Sequence, residues 1–324
     1  MKSAEHSVGA GQPRVFGAHE AARVMPVVSA EANKYSRGKL AVFGGSARFP
    51  AAPVMAALAA PRAGAGYTVL CVPQSAAACA HLHLLSTAVA ALPEDDGCLC
   101  AASAEAARGA LASAAAFVAG PGLDRSPAAG EFLLAFLAGD EARARCGVVD
   151  ADALTLVAHD KEAFLAAREA AAPVVLTPHH GEASRLLGGR KVNDPAFDAC
   201  ELASAYACVV VLKGPNTYVA NPDGEVCVIV DGGPELAKAG SGDVLSGIVG
   251  ALLAQGVEVF DAACLGVWLH ARAGALAALE LGVASVMPED LPLYVARAIR
   301  SLEPLSPKLA KAQADASCRA GCSS

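Results

Sequence analysis

Short apolar runs that close in glycine or polar clusters recur along this chain, with helix-length segments between them, and that alternation permits few architectures. Leu40-Ala41-Val42-Phe43 closes in Gly44-Gly45-Ser46, the pattern of a buried strand opening into a ligand-facing loop. A helix over residues 51–63, the turn Gly64-Ala65-Gly66 and a strand over 67–72 complete one βαβ unit. The pattern repeats as a helix over 104–115, a strand over 116–119, the turn Gly120-Pro121-Gly122 and a helix over 127–138, with further strands expected at 147–150, 173–177 and 208–213. Strand and helix alternating in this way specify an α/β fold, a mostly parallel central sheet with helices on both faces. Ligands of such sheets bind where the strands end.

The chemically distinctive residues gather at those ends: Gly44-Gly45-Ser46, Gly120-Pro121-Gly122, Asp150-Ala151-Asp152, Thr177-Pro178-His179-His180-Gly181-Glu182 and Lys213-Gly214. Beyond them, residues 217–230 spell a hairpin turned by Asn221-Pro222-Asp223-Gly224, expected close to the loop at Gly240. A long Ala-rich helix over 259–281 and a last one over 288–301 follow. Residues 1–30 read as a lead-in arm with a short helix at 18–24, and 304–324 as a disordered tail. No internal repeat or interior linker divides 31–303, which is expected to be one domain.

The chain carries a formal net charge of −7, so nothing global attracts nucleic acid or anionic lipid, and any phosphate site must be local. Apolar stretches are interrupted by Gly, Pro and charge, and no secretory leader or membrane span is expected. The 11 cysteines are scattered; Cys98 and Cys100, or Cys318 and Cys322, lack a second pair at zinc spacing. They read as reduced thiols of a cytoplasmic protein.

The stretch from Lys238 to Gly247 carries the sharpest chemistry. Gly240-Ser241-Gly242-Asp243 leads into an apolar helix, and bare amides at a helix N-terminus, aided by the helix dipole, cradle an anion such as phosphate. Asp243 falls on the first turn, where its carboxylate either accepts a proton from a hydroxyl attacking phosphorus or merely caps the helix. Asp150 and Asp152 also have two readings, a paired acid/base site or the polar end of a strand and a helix cap. Lys213 by itself reads as a solvated lysine closing a strand, and Lys238 offsets phosphate charge or faces solvent. His179 and Glu182 form His-x-x-Glu, which by itself reads as an ordinary helix start with a carboxylate on the first turn.

Taken together, Gly44-Gly45-Ser46, the 51–58 segment, Arg62-Ala63-Gly64-Ala65-Gly66, Gly120-Pro121-Gly122-Leu123, Asp150-Ala151-Asp152-Ala153-Leu154, Thr177 to Glu182, Leu212-Lys213-Gly214 and Lys238 to Gly247 resemble the ADP- or ATP-dependent NAD(P)H-hydrate dehydratases, within the ribokinase-like superfamily. The resemblance spans residues 31–303. It implies a ribokinase-like three-layer sandwich in which a nucleotide phosphorylates the C6 hydroxyl of hydrated NADH or NADPH, after which phosphate leaves and the dihydronicotinamide is restored.

By the resemblance, Asp243 is the base and Gly240, Ser241 and Gly242 supply the amides. Ala52, Gly122, His179 and Asp243 contact the hydrate; Lys213, Gly214, Pro215, Asn216, Thr217 and Gly242 hold the nucleotide; Glu182 faces Mg2+ through water. It also implies a homo-oligomer; the epimerase domain that some relatives carry ahead of this one is not expected, because 30 residues cannot build it. The chain departs from the family where Asn33-Lys34-Tyr35-Ser36-Arg37-Gly38 stands in place of His-Lys-Gly, and where Ala51 replaces a glycine and Pro61 interrupts a helix. The competing functional classes are a ribokinase-like kinase for a vitamin precursor or sugar, and a nucleotide sensor without catalysis.

Overall fold

A computed structural model describes residues 12–302; the tail expected at 304–324 lies outside them. Among these residues ten strands form a sheet: β1 (Arg14–Val15), β2 (Lys39–Phe43), β3 (Tyr67–Pro73), β4 (Ala88–Leu92), β5 (Ala116–Ala119), β6 (Cys146–Val149), β7 (Val174–Leu176), β8 (Val209–Leu212), β9 (Thr217–Ala220) and β10 (Val226–Ile229). Their order is β1-β10-β9-β8-β7-β6-β5-β2-β3-β4. Pairing is parallel except where the β9–β10 hairpin folds back, so that β8–β9 and β9–β10 are antiparallel. The helices in chain order are α1 (Ala18–Val24), α2 (Ala52–Arg62), α3 (Ala77–His83), α4 (Ala101–Ala112), α5 (Pro127–Ala138), α6 (Asp140–Arg143), α7 (Asp152–His159), α8 (Lys161–Arg168), α9 (His180–Leu186), α10 (Pro195–Tyr206), α11 (Ser241–Ala254), α12 (Val259–Leu281) and α13 (Leu291–Leu302).

Why the strands read as unbroken apolar runs is visible in how they divide. Leu40 and Val42 of β2 point into one hydrophobic cluster and Ala41 and Phe43 into another, the two-residue period of a strand buried on both faces. The first cluster joins the sheet to α1–α3 and α11–α13; the second joins it to α4–α10. Phe43, Phe117 and Phe132 pack around Phe136 at ring-centroid distances of 4.7, 5.2 and 5.5 Å and fill the second layer. In the first layer small residues let helices approach: a Cβ on Gly247 of α11 would stand 2.2 Å from the Ala56 carbonyl oxygen of α2.

Strand order reverses between β2 and β5. The loops after these strands meet there, the Gly45 amide donating to the Pro121 carbonyl at 2.8 Å. At Gly44 a Cβ would lie 2.2 Å from that same oxygen. The crevice at such a reversal is where α/β sheets take ligands.

Three expectations need adjustment. The lead-in arm is partly structural, for Arg14 and Val15 pair in parallel with β10 and Phe16 is 2% exposed; a two-residue edge strand is too short to leave a period in sequence. Pro61 sits inside the last turn of α2 without ending it, and the Ala63 amide still reaches the Ala59 carbonyl. Helix α12 is long and apolar enough to cross a membrane by length and composition, yet most of its apolar window is buried in the protein. All nine cysteines among the described residues are free thiols.

Because a backbone oxygen cannot swing aside, Gly247→Ala should force α11 away from α2 and lower stability by about 1–3 kcal/mol, measured by urea unfolding.

Candidate active site

The N-terminus of α11 is shaped by Gly240. Its φ of +97° is a left-handed conformation that a side chain would strain. The Ser241 amide turns back to the Lys238 carbonyl at 3.2 Å, and the Val244 amide donates to the Gly240 carbonyl at 3.2 Å. Between them the amides of Gly242 and Asp243 make no hydrogen bond among the described residues. Of the expected Gly240-Ser241-Gly242 trio the Ser241 amide is occupied, while those of Gly240 and Gly242, and that of Asp243 beyond them, make no hydrogen bond among the described residues. These groups line a cavity of about 750 Å³ together with Asp150, His179, Glu182, Lys213 and the hairpin residues Thr217 and Ile229.

Beneath the cradle lies an ion pair whose carboxylate is buried and whose ammonium is partly so. Asp150, at the end of β6 and 1% exposed, accepts from Lys213 Nζ at 3.0 Å and from the Ser246 hydroxyl of α11 at 2.5 Å. Burial pushes the Asp150 carboxyl up, but the Lys213 charge and the Ser246 hydrogen bond outweigh it and hold it below its ordinary value. Burial likewise disfavours the Lys213 ammonium, and Asp150, Glu182 and Asp243 more than compensate. Lys213 is thus no solvated strand end. A Cβ on Gly242 would lie 3.2 Å from its Nζ, which sets a cation directly beside the open amides.

Asp150 and Asp152 are not a pair. Asp152 instead accepts from the Asp124 amide at 3.1 Å and from Arg125 Nε at 2.7 Å. Between them Ala151 has φ +55°, a strained conformation for a residue with a Cβ. At Gly120 a Cβ would stand 1.9 Å from the Asp150 carbonyl, which explains the glycine after β5.

Asp243 faces the cavity, and its carboxylate has no hydrogen bond or ion pair among the described residues. Burial first, then the nearby Asp150 charge, pushes it up to about 8, against the pull of Lys213. Glu182, 6% exposed, is raised by burial to about 7. His179 caps α9: its Nδ1 accepts from the Gly181 amide at 2.9 Å, while its own amide donates to Glu182 Oε2 at 2.9 Å. Burial and Lys213 hold the imidazole below its usual pKa. With Nδ1 accepting, the neutral ring carries its proton on Nε2.

Gly214, Pro215 and Thr217 line the cavity, and Asn216 is not among its lining residues. Ala52 and Gly122 pack on one another, a Cβ on Gly122 lying 2.9 Å from that of Ala52, at the strand-order reversal and not in the cavity wall. Gly240 connects the two regions, since a Cβ there would be 4.0 Å from Met55 of α2. Lys238 donates to the Ala284 carbonyl at 2.8 Å and makes its contact with protein. Sequence reasoning missed Ser246 and His270, the latter 3.0 Å from Ser241 Oγ and 8% exposed. A histidine between Leu269 and Ala271 in an apolar helix is the available signal for the second.

A mostly parallel sheet closed by an antiparallel hairpin, with a glycine-turned helix N-terminus over its strand ends, defines the ribokinase-like class. A ribokinase-like superfamily protein from Enterococcus faecalis superposes with a TM-score of 0.77 at 21% identity, over 89% of this chain and 96% of that one. The chain belongs to the NAD(P)H-hydrate dehydratase family, whose profile matches residues 40–297. It is 39% identical over 263 residues to the ADP-dependent (S)-NAD(P)H-hydrate dehydratase of Neisseria meningitidis, covering 79% of this chain and 82% of that protein. To the bifunctional NAD(P)H-hydrate repair enzyme of Moorella thermoacetica it is 36% identical over 286 residues, which is 86% of this chain and 52% of the relative. The chain thus spans about half the length of the bifunctional relatives it matches.

Lys213→Met leaves Asp150 buried without its counter-charge, and a loss of about 3–5 kcal/mol in stability is expected. Urea unfolding at neutral pH measures it.

Proposed function

We propose that this chain repairs hydrated NADH and NADPH: the C6 hydroxyl of (6S)-NAD(P)HX takes a phosphoryl group from ADP or ATP, and phosphate then leaves the ring. The observation that carries this reading is the placement of Asp243 on the first turn of α11, beside the open amides of Gly242 and its own residue, with the Lys213 ammonium close to the face where a Gly242 side chain would stand. A secondary hydroxyl becomes a useful nucleophile only as its proton is accepted, and charge growing on the transferred group needs fixed dipoles and a cation nearby. Asp243 takes the proton, the Gly242 and Asp243 amides and Lys213 face the phosphoryl oxygens, and Gly214, Pro215 and Thr217 wall the nucleotide side. Loss of phosphate from C6 and of a proton from the adjacent carbon restores the ring double bond. Ala52, Gly122 and His179 are read as the side from which the hydrate approaches, supported by the crevice at β2 and β5.

Magnesium fits this donor set in a hydrated, nucleotide-borne form. Among the described residues no three His, Cys, Asp or Glu side chains form a metal cage, while carboxylates outnumber cations around Lys213. Glu182 would hold the ion through water, and the ion would offset phosphate charge. The assembly is read as a homo-oligomer, to be checked by light scattering; a monomer mass would reject it.

With ADP or ATP and magnesium, purified protein should restore NADH absorbance from the hydrate. Failure, together with phosphorylation of a vitamin-precursor or sugar alcohol, would favour a small-molecule kinase. Since a base must be ionised to act and Asp243 is pushed up to about 8, kcat/KM should rise as pH passes through about 8 and level above it. Asp243→Asn should lose turnover and keep nucleotide binding. The folded protein holds a proton on Asp243 at pH values where the unfolded chain has released it, so this carboxyl's contribution to stability falls as pH rises from about 4 to about 8. The Asn variant should accordingly melt higher than the parent at pH 9 in a thermal scan.

A further inference from the structure

Ser241 and His270 meet at the cavity wall from different helices. Ser241 opens α11 and is 4% exposed; His270 lies on α12, and its Nε2 stands 3.0 Å from Ser241 Oγ. Both line the cavity, with Leu245 of α11 and Val267 and Ala271 of α12 around them. The Ser241 amide is already bound to the Lys238 carbonyl, so what this residue can offer a ligand is its hydroxyl. For packing alone an apolar pair would serve equally well, because a lone buried hydrogen bond adds little over a well-packed hydrophobic contact. Two polar groups placed together beside the open amides of Gly242 and Asp243 therefore point to a use.

Burial pushes His270 down to about 4; a hydrogen bond to the Ser241 backbone opposes it and Lys213 adds to it, so the ring is neutral and carries one N–H. A serine hydroxyl has one proton and two lone pairs, which allows two arrangements. Either Oγ–H donates to Nε2 and Ser241 shows the ligand only lone pairs, or Nε2–H donates to Oγ and the serine proton is free to turn outward. An anion resting on the adjacent amides is repelled by the first arrangement and hydrogen-bonded by the second.

We infer that His270 and Ser241 form a relay in which His270 Nε2–H donates to Ser241 Oγ and thereby directs the Ser241 hydroxyl proton to a phosphate oxygen of the bound nucleotide, an assignment that rests on the nucleotide site proposed above. Ser241 is the contact residue, and His270 is a positioning residue acting through it. The anion selects the donating arrangement, so ligand binding and the Nε2–H tautomer are linked.

Calorimetric titration with ADP in the presence of magnesium tests this without requiring turnover. Ser241→Ala and His270→Ala should each weaken ADP binding about tenfold, the loss expected for one hydrogen bond to a charged group. Because the two act as one unit, the double variant should bind no more weakly than the weaker single. Ser241→Thr keeps the hydroxyl, and His270→Gln places an N–H near the position of Nε2; both should stay within about twofold of the parent. In the ADP complex, nitrogen NMR of labelled histidine should show His270 as the Nε2–H tautomer. Losses that multiply to about a hundredfold in the double variant, unchanged affinity in Ser241→Ala, or an Nδ1–H tautomer with ADP bound would each overturn the relay. Should His270→Ala fail to fold, the Ser241→Ala and Ser241→Thr pair decides. Protein that binds ADP with this pattern but does not restore the hydrate would leave the relay standing and reject the proposed reaction.

Discussion

Everything at this site depends on the ion pair between Lys213 and Asp150. An ammonium and a carboxylate are unfavourable in an interior unless each is fully matched. Here Asp150 takes both Lys213 Nζ and the Ser246 hydroxyl, and the lysine faces further carboxylates in Glu182 and Asp243. The pair ties the end of β6 to the end of β8, and Ser246 ties both to α11. Three separate elements are held in register by one buried carboxylate, and the cation it retains stands under the open amides. The same carboxylate helps keep the Asp243 proton on in the free protein, so the network that places the site also sets its acidity.

Close packing does the rest. Helix α11 delivers its N-terminus over the strand ends because Gly247 lets its backbone lie against Ala56 of α2, and because Gly250 leaves room for Val118 and Leu40 of the sheet, whose side chains a Cβ would meet at 2.5 and 3.1 Å. The abundance of alanine in this layer is a structural requirement of that approach. A larger side chain at either glycine would lift the helix and separate its amides from Lys213. The dipole of α11 and the lysine charge act on the same small volume, where low dielectric magnifies both.

Much of the fold was legible in local patterns. The strands at 40–43 and 116–119 and helices α5 and α12 follow from apolar runs bounded by glycine, proline and capping residues. The hairpin at Asn221-Pro222-Asp223-Gly224 was readable for the same reason. Edge strand β1 was not, since two residues paired to β10 have no period to detect. In the site, the sequence marked Asp243 and the glycines around Ser241, of which Gly240 is demanded locally by its left-handed backbone. It did not distinguish Lys213 as a solvated lysine from Lys213 as a partly buried, paired cation, because what a strand-end side chain meets depends on what arrives from elsewhere. Asp150 and Asp152, two residues apart, left open a pair or a strand end with a helix cap; the turn at Ala151 sends them to different partners.

Period-two and helical apolar patterns, turn chemistry and the glycine-rich loop are short-range properties, and they sufficed to determine a mostly parallel α/β sheet with an anion-binding helix end over it. Only the tertiary structure decided that Lys213 belongs to Asp150, that Ser246 joins them, that the Ser241 amide is spent on Lys238, and that His270 of α12 reaches Ser241 of α11. Each of those contacts but the Lys238 turn joins residues at least 29 positions apart along the chain. The physical reason is that charge state and hydrogen-bond partnership are fixed by the surroundings a folded chain assembles, and no local run of residues carries that information.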